Sequence, residues 1–388
     1  MDATLQAQLN LRREEHLYRT RLNVASGCSS TLSVEGRSLI NFCSNDYLGL
    51  ASHPDIVKAL KQAADLYGTG SGASHLVSGH SVVHQKLEEQ LAEYTGRPRA
   101  LLFSTGYMAN IGAINALIGR RDLVLQDQLN HASLLDGGRL SQADFKRYKH
   151  VDMASLEQRL EQSSAERKLI VTDGVFSMDG NLAPLREISS LAKKHSAWLM
   201  VDDAHGVGVL GQQGGGLVEE LNMSVDQVPV LVGTLGKSFG TFGAFVAGSE
   251  ALIETLIQYS RSYIYTTALP PAIAAATIAS LKIVREETWR RDKLGLLIAR
   301  FRSGAEQIGL RLAESNTPIQ PVLINDDEKV MHVGQKLRAA GFLVGAIRPP
   351  TVPVGTGRLR ITFSADHSEE QVDQLVAALD SLNLSAAA

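Results

Sequence analysis

The sequence predicts an α/β protein: a mostly parallel sheet covered by helices on both faces, followed by a smaller α+β domain. Three observations lead to this prediction. Short runs are continuously apolar, as in strands buried on both faces of a sheet. Helix-length segments separate several of these runs, which is typical of parallel strands joined by helices. After about residue 282 a long charged helical segment leads to further strands. The apolar runs lie at residues 100–103, 123–126, 169–172, 198–202, 230–233 and 243–247.

The bulk composition is that of a globular protein without a strong charge. The 388 residues include 38 basic and 41 acidic side chains, a formal charge of −3, and 44% are hydrophobic. Basic residues are scattered, so neither nucleic acid nor an anionic membrane is an expected partner. Only two cysteines, Cys28 and Cys43, occur, and the N-terminus has no apolar signal segment. We therefore expect a cytoplasmic protein of two or three domains.

The N-terminal part is predicted to hold a charged helix over about 25 residues and then a hairpin. Residues 31–42 give two short strands around a tight turn at Gly36. Ser52, followed by Pro54 and Asp55, is typical of a helix start. A further helix over 84–94 places leucines on one face.

The C-terminal part begins with a helical segment over 282–308, followed by three strands and a closing helix. The strands are expected at 321–324, 342–347 and 358–363. Earlier in the chain, the runs at 230–233 and 243–247 are too close for an intervening helix, so they are predicted to be antiparallel. The predicted domains are 1–45, which packs with the small domain, 46–282, and 283–388.

Two glycine-rich segments imitate nucleotide-binding loops without fulfilling their patterns. Residues 68–73 (GTGSGA) follow a helical segment instead of a strand. Residues 233–238 (GTLGKS) end like a phosphate-binding loop, but Leu231 stands where the pattern needs glycine. No HExxH or CxxC pattern occurs, so no metal site is expected.

Two segments carry candidate reactive groups just after strands. Asp202 ends an apolar strand and His205 follows three residues later, at the edge where open α/β sheets bind ligands. An acid there is equally well a helix cap, or it could hold a cationic ring nitrogen. Lys237 lies in a turn of small residues with Thr234 three residues before it. Lysine is usually a solvated surface charge, but Schiff-base chemistry also requires one.

Two more strand ends could hold a flat, phosphorylated ligand. A strand runs into Ser104-Thr105-Gly106-Tyr107 and a helix, whose first N–H groups could bind a phosphate. Many such turns bind nothing. His131 follows another strand and could stack on a planar group, although a simple surface loop explains it equally well.

The order of these segments resembles the α-oxoamine synthases, pyridoxal 5'-phosphate (PLP) enzymes of fold type I that condense an amino acid with an acyl-CoA and release CO2. The resemblance covers nearly the whole chain. It implies a seven-stranded mixed sheet, a homodimer with shared active sites and a transferase activity. The matching segments are 41–50, 70–79, 172–180, 201–208, 234–237 and 348–362.

The resemblance assigns cofactor roles to most of the candidates. It implies that Lys237 carries PLP as a Schiff base, that Asp202 faces the pyridine nitrogen and that His205 bonds the ring's 3′ oxygen. His131 would stack on the ring, and Ser177 would lie near the same oxygen or the phosphate.

The remaining assignments concern the phosphate and the substrates. Backbone groups of Gly106 and Tyr107, with Thr234, would hold the phosphate, and Thr266 or Thr267 would reach that of the neighbouring subunit. By the same resemblance, Arg360 would hold the amino acid carboxylate, although alone it is an ordinary strand arginine. Arg19 would lie at the acyl end.

Within the family, the segments 41–50, 81–85, 265–271 and 346–362 are most similar to the member that joins L-alanine to a pimeloyl thioester in biotin biosynthesis. Whether the thiol is CoA or a carrier protein stays open. One alternative is the member that condenses glycine with acetyl-CoA. An alternative of another class is a non-catalytic PLP-binding regulator, which usually has an added DNA-binding module.

Overall fold

The computed structural model describes residues 1–15 and 17–384, and the chain divides into two compact units. The first unit consists of residues 1–44 and 295–388, and the second of residues 45–294. The helices are α1 (Asp2–Glu14), α2 (Pro54–Tyr67), α3 (Val82–Tyr94), α4 (Gly106–Leu117), α5 (Ala132–Leu140), α6 (Met153–Glu161), α7 (Leu185–Lys194), α8 (Leu217–Glu220), α9 (Glu250–Tyr259), α10 (Arg261–Ile264), α11 (Pro271–Glu286), α12 (Trp289–Gln307), α13 (Asp327–Ala339) and α14 (Glu369–Asp380). The strands are β1 (Thr31–Val34), β2 (Arg37–Phe42), β3 (Arg99–Phe103), β4 (Leu123–Asp127), β5 (Asp144–Tyr148), β6 (Lys168–Asp173), β7 (Trp198–Asp202), β8 (Val230–Thr234), β9 (Ala244–Gly248), β10 (Ile319–Leu323), β11 (Phe342–Ile347) and β12 (Arg358–Thr362). A short π-helix covers His75–Gly79.

The second unit is built on a seven-stranded sheet in the order β3-β9-β8-β7-β6-β4-β5. Strands β5, β4, β6, β7 and β8 are parallel, whereas β9 is antiparallel to both β8 and β3. The predicted mixed sheet and its antiparallel pair are thus confirmed. Strand β5 escaped the sequence prediction because it is a half-exposed edge strand with the polar sequence DFKRY.

Both faces of this sheet are covered, as its apolar strands require. Along β6, Leu169 and Val171 belong to one buried cluster, while Ile170 belongs to another. Successive strand residues point to opposite faces, so the two clusters lie on the two sides. The sheet is therefore a rigid, dry platform whose strand ends can hold polar groups in fixed positions.

The first unit contains a five-stranded sheet in the order β1-β2-β11-β12-β10. The predicted hairpin β1–β2 is confirmed, and its turn places Glu35 and Gly36 at φ of 51° and 77°. Gly36 suits this turn because a glycine adopts positive φ without a steric cost. Strand β2 then pairs in parallel with β11, which ties the N-terminal segment into this sheet.

Three local predictions need correction. Helix α1 ends at Glu14 instead of continuing to about residue 25, and none of its residues is buried, so no packing prolongs it. His53, not Ser52, caps α2, since its ring accepts from the Asp55 amide. The helix expected over 282–308 is two helices, α11 and α12, separated after Glu286. The second unit ends at Leu294, within α12, and the domain boundary expected after residue 282 stays a prediction.

In the part of the chain that the structure describes, no helix combines the length and the apolar character needed to cross a membrane.

Phe363 is expected to be a main contributor to the stability of the first unit. Its side chain is fully buried, with ring centroids 5.6 Å from Phe42 and 5.1 Å from Phe301. Phe363→Ala should lower the free energy of unfolding by about 3–5 kcal/mol, measured by urea denaturation, because it leaves a cavity. Val354→Ala is the control, since Val354 is 84% exposed and should change it by less than about 0.5 kcal/mol. Equal effects of the two substitutions would contradict the assigned packing.

Candidate active site

The candidate site lies at one edge of the seven-stranded sheet. The parallel strands β6, β7 and β8 end at Asp173, Asp202 and Thr234. Carboxyl ends of parallel strands meet at the same edge, which is where open α/β sheets bind ligands. The sheet therefore brings together polar groups that are far apart in the sequence.

Lys237 and His205 are in direct contact at this edge. The Lys237 amine lies 2.7 Å from His205 Nε2, and His205 Nδ1 lies 2.6 Å from the Tyr47 hydroxyl. That hydroxyl donates to the Asn45 amide oxygen at 3.2 Å. As an ammonium group, Lys237 donates to Nε2, so Nδ1 carries the ring proton and donates to Tyr47. The chain of contacts fixes the orientation of the imidazole beside the lysine.

Asp202 is held by two donors at the end of β7. Its Oδ2 accepts from Asn110 Nδ2 at 2.6 Å, and its Oδ1 accepts from the Ala204 amide at 3.0 Å. The residue is only 6% exposed. Two hydrogen bonds to a buried carboxyl leave it little rotational freedom, so its position is set before any ligand binds.

His131 caps helix α5 and lies within the electrostatic influence of Asp202 and Lys237. Its Nδ1 lies 2.7 Å from the Ser133 hydroxyl, and its backbone amide donates to Asp173 at 2.7 Å. Desolvation lowers the pKa of His131, Asp202 acts in the opposite direction, and Lys237 lowers it further. Burial thus disfavours the charged form of this ring.

Asp173 and Asp203 flank Asp202 and are both deeply buried. Burial raises the pKa of each well above the ordinary range, and the neighbouring Asp202 raises both further. The Leu217 amide donates to Asp203 at 2.6 Å, which partly offsets the effect of burial. Burial thus disfavours the ionised form of both carboxyls that flank Asp202.

The turn into α4 offers backbone donors. Thr105 caps the helix by accepting from the Met108 amide at 3.2 Å. The amides of Gly106 and Tyr107 are in the first turn, where a helix provides no acceptor. The space beside Gly106 is open, since a Cβ built there meets no atom within 4 Å. An anion can approach these N–H groups closely.

The other residues predicted to contact the cofactor lie at the end of β8 and in half-buried or exposed loops of the same unit. The Thr234 hydroxyl donates to the Gly243 carbonyl at 3.2 Å and accepts from the Gly236 amide at 3.4 Å. Thr266 and Thr267 follow α10, and the Thr267 carbonyl accepts from the Ser104 hydroxyl at 3.5 Å. Ser177 is half-buried in the segment after β6.

Arg19 and Arg360 belong to the first unit. Arg19 is exposed in the irregular segment before β1. Arg360 is 8% exposed in the middle of β12, where it pairs with Pro321 of β10 and Gly345 of β11. Burial raises the pKa of Cys43 to about 12, and the positive charge of Arg360 opposes this effect. Arg360 is thus a rigidly placed cation within its own sheet.

Sequence reasoning missed four residues that shape the site: Asn45, Tyr47, Asn110 and Ser133. Asn45 and Tyr47 lie within the matching segment 41–50. Nothing in that segment indicated that Tyr47 contacts His205 or that Asn45 accepts from Tyr47. Asn110 lies one turn into the mostly apolar helix α4, GYMANIGAINAL, where its polarity at a buried position was the available signal, although Asn115 is a second asparagine in the same helix. Ser133 stands two residues after His131. Because this spacing is also typical of an ordinary helix cap, it did not indicate a role in the site.

Comparison with known proteins agrees with this fold and site. The family model for class I and II aminotransferases matches residues 37–379. A solved structure of serine palmitoyltransferase from S. paucimobilis, which contains a PLP–myriocin aldimine, superposes with a TM-score of 0.92 at 31% identity, over 97% of this chain and 96% of that one. The fold and site thus define an enzyme of the PLP-dependent transferase class.

Curated relatives narrow this class. The 8-amino-7-oxononanoate synthase of Saccharophagus degradans is 58% identical over 98% of this chain and 96% of its own length. The structure of the Francisella tularensis 8-amino-7-oxononanoate synthase superposes with a TM-score of 0.79 at 32% identity, over 89% of this chain and 97% of that one. The chain belongs to the 8-amino-7-oxononanoate synthase family, which makes it an acyltransferase of biotin biosynthesis and confirms the class predicted from the sequence.

Proposed function

We propose that the protein condenses L-alanine with a pimeloyl thioester. The products are 8-amino-7-oxononanoate, CO2 and the free thiol, so one C–C bond forms while the thioester bond and the alanine carboxyl C–C bond break. The observation that carries the proposal is the contact between Lys237 and His205 beside Asp202, in a chain 58% identical to a curated relative of that name. We propose CoA or a carrier protein as the thiol.

The residues at the sheet edge fit PLP. PLP has an aldehyde, a ring nitrogen and a phosphate. The edge offers a matching group for each: a primary amine, a fixed carboxyl group and two helix N-terminal amides. Lys237 would hold the aldehyde carbon, Asp202 the ring nitrogen, and Gly106 and Tyr107 the phosphate. The open space beside Gly106 supports this placement. When bound, PLP supplies a cationic ring that accepts electrons from the alanine Cα.

Among the chain's own groups, Lys237 moves the proton. Its amine takes the Cα proton of alanine and later returns one to the product, a role that suits a lysine partly shielded from water. His205 is held by Tyr47 and keeps the amine oriented. It would also bond the 3′ oxygen of the cofactor ring. Asp202 stabilises positive charge on the ring nitrogen. His131 would stack on the cofactor ring and exclude water from the reacting carbon.

The proposal gives the remaining predicted residues binding roles. Ser177 would bond the 3′ oxygen or the phosphate of the cofactor, and Thr234 would bond the phosphate. Thr266 or Thr267 would reach the phosphate in the partner subunit of a homodimer. Arg360 binds the alanine carboxylate, which a guanidinium can grip through two parallel hydrogen bonds until CO2 leaves. Arg19 lies at the acyl end. A cytoplasmic location is part of the proposal and fits a biosynthetic enzyme.

Substrate competition tests the assignment. The protein is expected to release CoA at least about tenfold faster, by kcat/KM, with L-alanine and pimeloyl-CoA than with glycine and acetyl-CoA, because several additional methylenes of the acyl chain are worth more than 1.4 kcal/mol of binding. Thiol release is followed with a colorimetric reagent, and the product is identified by mass spectrometry. A preference for glycine and acetyl-CoA would reject the assignment, and PLP binding without turnover of either pair would favour a regulator.

A further inference from the structure

We propose that Asn110 and Ser133 are positioning residues that link Asp202 to His131, so that the carboxylate and the stacking imidazole behave as one unit. They hold Asp202 in its orientation and keep His131 as the neutral tautomer with its proton on Nε2. The inference rests on the proposed function, since it concerns how the same site is prepared for its cofactor.

The link is a continuous series of short contacts. Asn110 Nδ2 donates to Asp202 Oδ2 at 2.6 Å and to the Ser133 hydroxyl at 2.9 Å. The Ser133 hydroxyl lies 2.7 Å from His131 Nδ1. Asn110 is 1% exposed and Ser133 is fully buried, so water does not compete for these contacts. Within the described residues, Asn110 Oδ1 has no hydrogen-bond partner, so the amide's bonding is directed entirely through its NH2 group.

The chemistry of the four groups sets the direction of every bond. A carboxylate can only accept, so the amide NH2 must face Asp202, and its second hydrogen points to Ser133. The Ser133 backbone amide, which can only donate, donates to His131 Nδ1 at 3.3 Å, so this nitrogen accepts. The Ser133 hydroxyl, 2.7 Å away, therefore donates its hydrogen to the same nitrogen. His131 Nδ1 is therefore an acceptor, and the proton of the neutral ring is on Nε2.

Close helix packing places the amide and the hydroxyl within reach. Asn110 is on α4 and Ser133 on α5, and Gly137 of α5 faces α4. A Cβ on Gly137 would lie 2.8 Å from Ile114 Cδ1 and 3.5 Å from the Asn110 carbonyl oxygen. A larger residue would push the helices apart. One turn further along α4, Asn115 donates to the Gly137 carbonyl at 3.2 Å and makes a second bridge that touches neither Asp202 nor Ser133.

The surroundings of His131 agree with a neutral ring. The charged groups that influence it are Asp202, Asp136 and Lys237, and Asp173 accepts from its backbone amide. Desolvation lowers the pKa of His131 ahead of these charges. Because Ser133 donates to Nδ1, protonation at that nitrogen would cost this hydrogen bond as well. The positioning residues and the local field thus favour the same protonation state.

A double-mutant cycle on the full-length chain tests the link. PLP is titrated into the cofactor-stripped protein, and its dissociation constant is compared for the wild type, Asn110→Ala, Ser133→Ala and the double variant. Asn110→Ala should weaken binding about tenfold or more, and Ser133→Ala about threefold. In a connected unit the loss of affinity in the double variant should be smaller than the product of the two single losses, because the Asn110–Ser133 bond is common to both substitutions and is lost only once. Asn115→Ala, the matched control, should leave the affinity unchanged.

Multiplying effects in the double variant, or no effect of either single substitution, would overturn the proposal. A second measurement is made on the protein with Asn110 and Ser133 intact. ¹⁵N NMR of the histidine-labelled holoenzyme should show His131 protonated on Nε2, and the signal that is missing in His131→Asn identifies this residue. A proton on Nδ1 would overturn the assignment even if the variants fail to fold. If the PLP affinities are non-additive but alanine and pimeloyl-CoA give no product, the link stands and the proposed function fails.

Discussion

Replacing Lys237 with alanine is expected to lower kcat by about 10⁴-fold, the largest effect of any single substitution in this protein. The amine is both the group that would hold the cofactor and the base for the Cα proton, and a positioned base alone contributes about 10²–10⁴-fold. The rate is measured as thiol release from pimeloyl-CoA with saturating L-alanine. In parallel, borohydride reduction of the wild type followed by peptide mass spectrometry should place the cofactor on Lys237.

Two variants separate chemistry from charge in this experiment. Lys237→Arg keeps the positive charge next to His205, but a guanidinium neither condenses with an aldehyde nor accepts a proton near neutral pH, so it should be as inactive as alanine. Lys282→Ala, at a 72% exposed side chain, should retain full activity. A label on another lysine, or substantial turnover by Lys237→Ala without an added amine, would remove the central role assigned to this residue.

Asp202→Asn is expected to lower kcat by about 10²–10³-fold while leaving the fold intact. The amide has the same shape, but it cannot hold a proton on a ring nitrogen by opposite charge, so the electron-accepting capacity of the bound cofactor falls. The absorbance of the bound cofactor should change along with kcat, since both depend on protonation of the ring. Stopped-flow measurement of the proton-removal step with [2-²H]alanine should show an increased isotope effect.

The neighbouring residue provides a closely matched control. Asp203→Asn makes the same chemical change one position later, at a carboxyl whose pKa burial raises well above its usual range. The amide oxygen of the variant can still accept from the Leu217 amide, as the carboxyl does. This variant should therefore keep activity within about threefold. Equal losses in the two variants would mean that the effect of Asp202→Asn arises from strain at the end of β7 and not from charge.

The arrangement around Asp202 makes the sheet edge sensitive to substitution. The carboxyl is fixed by Asn110 and by the Ala204 amide, and His131 is tied to the same amide group through Ser133. Disturbing one member leaves a buried polar group without its partner, which costs more than the net worth of the bond itself. Activity is thus sensitive to residues that never touch substrate.

The amino-acid sequence by itself determined the alternation of strands and helices and the antiparallel β8–β9 pair, which depend on local patterns: continuous apolar runs and the short spacing between two runs. Local patterns left the roles of Lys237, Asp202 and His205 open, and the resemblance to the α-oxoamine synthases made them the candidate reactive residues. The polar edge strand β5 and the separation of α11 from α12 did not follow from such patterns. The packing of these elements against their neighbours decides both features, and the periodicity of the sequence does not show that packing.

Only the tertiary structure decided which groups support the reactive residues. Tyr47 contacts His205 across 158 residues, and Asn110 contacts Asp202 across 92 residues. Such contacts depend on sheet register and on the close approach of α4 and α5, which are properties of the folded chain. Spacing along the sequence carries no record of them. The sequence indicated the candidate residues Asp202, His131 and Lys237, and the folded packing determined which groups hold them in place.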